Sequence, residues 1–358
     1  MKNILLNTVL ISLLTLLLLV SACCKNKKCN TDTSVEPGNF NYTGSTFEGN
    51  YIWGGAMNLA WNELIDNWTN EAIELFTDDA EALATLNKLN NPVFTRKNMD
   101  EASYYIKSGY GQQTVDAINK ECSQKFPKKS IPELKLKLGA NDIISYAYFL
   151  KEITYQKVFS PRKMDFNDTP VEGFAAYGES ANNIYILDYQ NEDKFLIGIK
   201  LQDDSDQIFL AKGYPMDNPE EIVKELRSKA PLQTQKEYSL GQPMNRKDRF
   251  SAPKLHLDNN RAYSEMIGKK LKNKKLAGYV ISVMQEIIKF DMDEKGARVE
   301  NEAIIGMVTS AGPNDTYKPK SMILDKPYWV MMKRFDSNNP YFILGVQNTG
   351  IMKAAASD

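Results

Sequence analysis

The sequence runs to 358 residues, with 44 Lys and Arg against 45 Asp and Glu and a formal net charge of −1. Both signs are mixed through a composition that is 25% charged, so no basic field is available to attract nucleic acid. Four cysteines without a CxxC pair and a single histidine, His256, argue against a zinc or transition-metal site, and no cofactor is expected.

Met1-Lys2-Asn3 supplies a positive end, and Ile4 to Val20 follow as an apolar run broken only by Asn7, Thr8, Ser12 and Thr15. That is the pattern of a signal peptide. The run closes on Val20-Ser21-Ala22-Cys23, which resembles the lipobox of bacterial lipoproteins. The resemblance implies that residues 1–22 are removed, that Cys23 is acylated, and that the mature chain is exported and held at the cell envelope, on the outer membrane or the cell surface. A transmembrane helix could have this length, but nothing about one requires small residues and a cysteine at its end. Lys25, Lys27 and Lys28 would each add roughly 1 kcal/mol of attraction to an anionic headgroup layer if they lie near it; otherwise they are a solvated tether. A Cys24–Cys29 disulfide would cross-link only that tether.

From Cys24 to about Thr46 the chain is polar and without an apolar period, which reads as a flexible segment. Residues 23–46 are therefore expected to form a lipidated tether and residues 47–358 a single domain. Met57, Leu59, Ala60, Trp61, Leu64, Ile65 and Trp68 recur near helical spacing, and Ala72, Ile73, Leu75 and Phe76 continue it. Ala80 to Leu89 is a second helix, stopping before Pro92. Val115 to Phe126 is a third, with Val115, Ile118 and Cys122 on one face, which places Cys122 in the core.

After Gly139 the pattern changes. Ile143 to Leu150 is almost continuously apolar, as expected of a strand buried on both faces. Short or alternating apolar segments follow at 183–189, 195–201, 207–210, 254–257, 279–293, 328–335 and 341–346. Helices first and strands afterwards, with little alternation between them, predict an α+β fold.

Several segments, taken in order, resemble the serpin family. Phe290-Asp291-Met292-Asp293-Glu294-Lys295-Gly296 is similar to the strand and Glu-x-Gly hinge that lead into a serpin reactive-centre loop. Leu324-Asp325-Lys326-Pro327-Tyr328-Trp329 is similar to the Asp-x-Pro-Phe segment, and Tyr341-Phe342-Ile343-Leu344-Gly345-Val346 to the closing strand. Upstream, Ile118-Asn119-Lys120 and Ile131-Pro132-Glu133-Leu134 flank a stretch similar to the sixth helix and its exit; Phe159 and Phe166 match aromatic landmarks, and Ala252-Pro253-Lys254-Leu255 resembles the Pro-Lys-Phe strand. The resemblance covers roughly residues 115 to 350. It implies N-terminal helices on a large mixed or antiparallel sheet, a C-terminal small sheet or barrel, and an exposed reactive-centre-like loop. The chain departs from the family in a shortened helical region before residue 115, in Ser145-Tyr146 for the usual Asn-Ala, in Tyr155 for the usual tryptophan, and in Glu286-Ile287 for the usual His-Lys.

The resemblance further implies an inhibitor of a serine or cysteine protease, not an enzyme, working by loop cleavage and strand insertion. Successive side chains of a strand face opposite ways. Glu294 and Gly296 open the hinge; counting from Gly296, the inward set is Ala297, Val299, Asn301, Ala303, Ile305 and Met307, with Arg298, Glu300, Glu302, Ile304 and Gly306 outward. The stretch around Thr309, Ser310 and Ala311 and on to Thr316 and Tyr317 reads as exposed loop. Distance from the hinge puts the scissile bond at Ser310-Ala311, whereas distance from Pro327 puts it at Thr316-Tyr317. The alternative reading is a non-inhibitory, serpin-like binding or structural surface lipoprotein. Ser251-Ala252-Pro253-Lys254 matches the Ser-x-x-Lys of penicillin-binding proteins, but Pro253 and the alternation that follows predict a strand, which separates Ser251 from Lys254. The same alternation sets His256 opposite Leu255 and Leu257, as a surface or hydrogen-bonded residue.

Overall fold

The computed structural model describes residues 44–90, 94–234, 241–296 and 317–356. In chain order they begin with β1 (Ser45–Phe47), β2 (Asn50–Gly54), α1 (Ala56–Leu64), β3 (Leu75–Phe76), α2 (Ala80–Leu89), β4 (Tyr104–Tyr110), α3 (Gln112–Lys125) and β5 (Asp142–Glu152). Next come β6 (Ser160–Phe166), β7 (Thr169–Ala175), β8 (Ile184–Asn191), β9 (Lys194–Ile199), β10 (Asp206–Lys212), α4 (Glu220–Lys229), β11 (Gln242–Pro243), β12 (Arg249–Pro253) and β13 (Leu255–Ala262). The chain closes with β14 (Lys270–Leu271), β15 (Val280–Met292), β16 (Ser321–Ile323), β17 (Tyr328–Arg334) and β18 (Phe342–Val346). Among the described residues no helix is long and apolar enough to cross a membrane.

The elements make an α+β fold of three sheets. An antiparallel eight-stranded sheet runs β1-β2-β18-β17-β10-β9-β8-β11, and a four-stranded sheet runs β16-β12-β7-β6. The main sheet runs β3-β14-β15-β5-β4, with β13 also antiparallel to β15. β5 lies antiparallel to β4 and parallel to β15, from Val280↔Asp142 to Asp291↔Glu152. Ile143, Ala147, Phe149 and Ile153 on one face of β5 join the main core with α1 and β18. On the other face, Ile144, Tyr146 and Tyr148 pack with Val115, Ile118 and Cys122 of α3, with Ile287 of β15, and with Ile131, Leu134, Leu136 and Leu138 of the segment after α3. This double burial explains the uninterrupted apolar run of β5.

The helical pattern expected to continue through Phe76 stops earlier. α1 widens into a π turn over Ile65–Thr69, where Asn70 N–H reaches back to Ile65 O at 2.8 Å and Asn70 takes a left-handed φ of 55°. Leu75 and Phe76 are instead the edge strand β3, paired to β14. The ladder at a sheet edge overrides the short helical period. The first strand begins at Ser45, so Ser45 and Thr46 pair with Ile52 and Tyr51 of β2.

Candidate functional site

The site is built around the seam where β5 and β15 pair, and around the chain that leaves β15. At the middle of the seam three elements meet through polar groups. Ser108 Oγ of β4 donates to Ala60 O of α1 at 2.7 Å and lies 2.9 Å from Ser145 Oγ of β5. In β15, Glu286 stands opposite Ala147 and is 3% exposed. Its carboxylate accepts from Met57 N–H at the start of α1 (3.3 Å) and from Tyr263 Oη (2.8 Å). Burial pushes the Glu286 carboxyl up, and the hydrogen bond from Tyr263, the Arg261 charge and the Met57 amide offset only part of that rise. At the far end of the seam Lys151 pairs with Asp206 and, at 3.5 Å, with Asp100, while Tyr341 Oη donates to Asp206. Carboxylate oxygens of Asp100, Asp203 and Asp206 come within 4.8 Å of one another, but the Lys151 ammonium already balances two of them.

The chain leaves β15 through a tightly held turn. Asp293 Oδ1 accepts from Lys295 N–H at 2.8 Å, and Glu294 O accepts from Phe159 N–H at 2.8 Å. Gly296 has a φ of 66°, and a Cβ there would stand 2.1 Å from Ile153 O, so the position requires glycine. Gly296 then forms an antiparallel bridge to Thr154, just past the end of β5. By that residue the chain has reversed and lies at the mouth of the β5–β15 seam. Lys254 holds the turn in place: its Nζ lies 2.8 Å from Glu294 Oε2 and 3.5 Å from Glu172 Oε2. Burial opposes the Lys254 charge, yet the adjacent Glu294 carboxylate and, farther off, that of Glu172 hold its pKa above the usual lysine value. Burial raises Asp293 as well.

The return of the chain is anchored equally firmly. Tyr317 Oη donates to Asp248 at 2.9 Å, and Lys320 N–H donates to Asp248 Oδ1 at 2.7 Å. β16 pairs parallel to β12, and Lys212, buried at the end of β10, donates to Ile323 O (3.0 Å) and Asp325 Oδ1 (2.6 Å). Residues 297–316 are thus bracketed by one fixed point at Gly296 and another at Tyr317.

Of the residues singled out from sequence, Glu294, Gly296 and Tyr317 fall at these two fixed points. Tyr317, expected in the exposed loop, is half-buried and donates to Asp248. Cys23, Ala297, Val299, Asn301, Ala303, Thr309, Ser310, Ala311 and Thr316 lie outside the described residues. Ser251 is buried within β12 while Lys254 turns to two carboxylates, an arrangement unlike a Ser-x-x-Lys pair. His256 is exposed and pairs with Asp291 across β13 and β15. Cys122 is 1% exposed, and burial pushes its thiol up to about 12. Lys254 is not legible from sequence as a partner of Glu294, because the contact joins residues 40 positions apart in the chain. Its position beside the motif-like Ala252-Pro253 was the only available signal.

Solved serpins share this architecture. A thermophilic serpin, tengpin, in its native state is 14% identical, matching over 86% of this chain and 90% of its own, with a TM-score of 0.55. The mouse protein-Z dependent protease inhibitor is 12% identical over 84% of this chain and 91% of its own, with a TM-score of 0.50. No protein-family model and no curated protein matches the sequence. The fold is serpin-like.

Proposed function

We propose that the chain is a protease inhibitor that traps its target by cleavage within residues 297–316 and insertion of the freed segment between β5 and β15. The observation that carries this reading is the antiparallel bridge between Gly296 and Thr154. It amounts to the first rung of a strand lying between the two. Continuing that register pairs Ala297 with Ile153, Asn301 with Phe149, Ala303 with Ala147 and Met307 with Ile143. Residues directly opposite share a face, so the odd-numbered hinge residues would enter the main core, where Ile143, Ala147, Phe149 and Ile153 already point.

The energetics favour the inserted state. Insertion replaces one parallel ladder with two antiparallel ones, a net gain of about ten hydrogen bonds at about 1 kcal/mol each. Burying the Asn301 amide without a partner would cost about 1–3 kcal/mol. On the other face Arg298 would meet the exposed carboxylate of Glu152, whereas Glu302 would meet Tyr148, so α3 and residues 131–138 must shift as the strand enters. The Lys254–Glu294 pair and the closed β5–β15 ladder resist this until the loop is cut. A serine hydroxyl or cysteine thiol attacking the scissile carbonyl forms an acyl ester or thioester, and the peptide bond breaks to release the new amino terminus with its proton; insertion would then carry the acyl-linked protease away before water reaches it. Exposure of the loop and a target of the serine or cysteine class are part of this reading. So is a tether to the cell envelope through acylated Cys23, which is supported by Val20-Ser21-Ala22-Cys23.

The test is to incubate the mature chain with a panel of serine and cysteine proteases. The reading expects an SDS-resistant complex at the mass of the sum, and a nick that mass spectrometry locates near Ser310-Ala311. Cleavage with no complex and no rise in melting temperature would leave a non-inhibitory binding lipoprotein instead.

A further inference from the structure

After β18 the chain crosses between two sheets. Ile351 is 3% exposed, Met352 bridges antiparallel to Leu255 at the start of β13, and Ala354 bridges antiparallel to Val171 in β7. Glu172 N–H donates to Lys353 O at 2.9 Å, Ala355 N–H to Pro170 O at 3.2 Å, and Lys163 Nζ to Ala356 O at 2.8 Å. Residues 352–356 are therefore strapped across β7 and joined to the first residue of β13, immediately beside Lys254.

Glu172 is the joint between this strap and the hinge. Its carbonyl accepts from Lys254 N–H at 2.9 Å, and its carboxylate faces Lys353 Nζ at 2.8 Å and Lys254 Nζ at 3.5 Å. The hydrogen bond from Lys353 is the largest cause holding the Glu172 carboxyl below the usual glutamate range. Four charges thus alternate in a row: Lys353, Glu172, Lys254, Glu294. Because Lys353 occupies Glu172, Lys254 is left closest to Glu294, at 2.8 Å. Without Lys353, Glu172 would be free to compete with Glu294 for the same ammonium.

We infer that residues 352–356 form a strap that sets how readily the hinge lets go, with Lys353 and Glu172 as positioning residues that keep Lys254 on Glu294. This rests on reading Glu294–Gly296 as the hinge of an inserting loop, but its test needs no protease. Hydrogen exchange is measured on the full mature chain at the amides of Phe159, Lys295 and Gly296, with the β10–β17 pair as the internal control. Lys353→Ala should speed exchange at the hinge by about two- to fivefold, the range of a surface ion pair. Truncation after Ile351, which also removes the backbone bonds of the strap, should speed it roughly tenfold. Glu172→Gln added to Lys353→Ala removes the competitor and should return exchange to the wild-type rate. Unchanged exchange in Lys353→Ala and in the truncated chain would overturn the strap, as would failure of Glu172→Gln to rescue. Should the rescue succeed while no variant forms a covalent protease complex, the strap stands and the inhibitor reading falls. If the wild type traps protease but exchange never changes, the reverse holds.

Discussion

Replacing Lys254 with methionine keeps most of the side chain's length and apolar stem and removes the ammonium that lies 2.8 Å from Glu294. The pair lies between two regimes: Lys254 is 22% and Glu294 12% exposed at the side chain. Surface pairs contribute about 0–1 kcal/mol, and removing one partner of a fully buried pair costs about 3–5 kcal/mol. An intermediate burial argues for a loss of about 2 kcal/mol in Lys254→Met, or a fall of about 3 °C in Tm for a domain of this size. Glu294→Gln leaves a neutral group that tolerates burial and should cost less than half as much. If the contact is the source, the two effects are not additive. A double-mutant cycle from thermal melts at one scan rate should give a coupling of about 1 kcal/mol between positions 254 and 294. Additive losses, or a Tm within 1 °C of the wild type in Lys254→Met, would show that the pair does not hold the turn.

Gly296→Ala forces a Cβ against Ile153 O at a left-handed φ, so it should cost about 1–3 kcal/mol and abolish hydrogen-exchange protection at Gly296. The Glu286 carboxyl, raised by burial, ionises in the unfolded chain at lower pH than in the fold. Its contribution is therefore fully favourable below about pH 4.5 and declines as pH rises toward the folded value. Glu286→Gln should remove that decline, as urea midpoints at pH 4, 6 and 8 would show; a decline of the same size in the variant would contradict the assignment. Lys333 in β17 is 0% exposed, donates to Arg334 O at 3.3 Å and Ser337 O at 3.0 Å, and burial lowers its pKa to about 7. The unfolded chain holds this proton up to about pH 10.5, so the fold carries a penalty near 4 kcal/mol at and below neutrality that fades as pH climbs. Lys333→Met gives up two carbonyl bonds at about 1 kcal/mol each. It should still stabilise the fold by about 2 kcal/mol at pH 7 and flatten its alkaline rise in Tm.

The sequence disclosed the elements that are defined by local pattern. β5 was legible because burial on both faces leaves an apolar run that a loop or a surface helix would not tolerate. The turn after β15 was legible because Gly296 closes a short motif and adopts a backbone conformation that favours glycine. What stayed hidden depends on chain segments far apart. The Lys254–Glu294 contact, the Glu172–Lys353 link and the Asp248–Tyr317 anchor each join segments far apart in the chain, and no spacing along it announces them. β3 was misread as helix because two residues in a ladder carry no period of their own. In the sequence Glu286 stands out only as a departure from His-Lys; its hydrogen bonds to α1 and Tyr263 are not legible from the strand that contains it.

The account stands or falls on where residues 297–307 go after the loop is cut. A crystal structure of the protein nicked between Gly296 and Tyr317 tests this directly. The predicted result is a new strand between β5 and β15, antiparallel to both, with Ala303 beside Ala147 and Gly296 still beside Thr154. A β5–β15 ladder that remains paired from Asp142 to Glu152 in the nicked protein would contradict it.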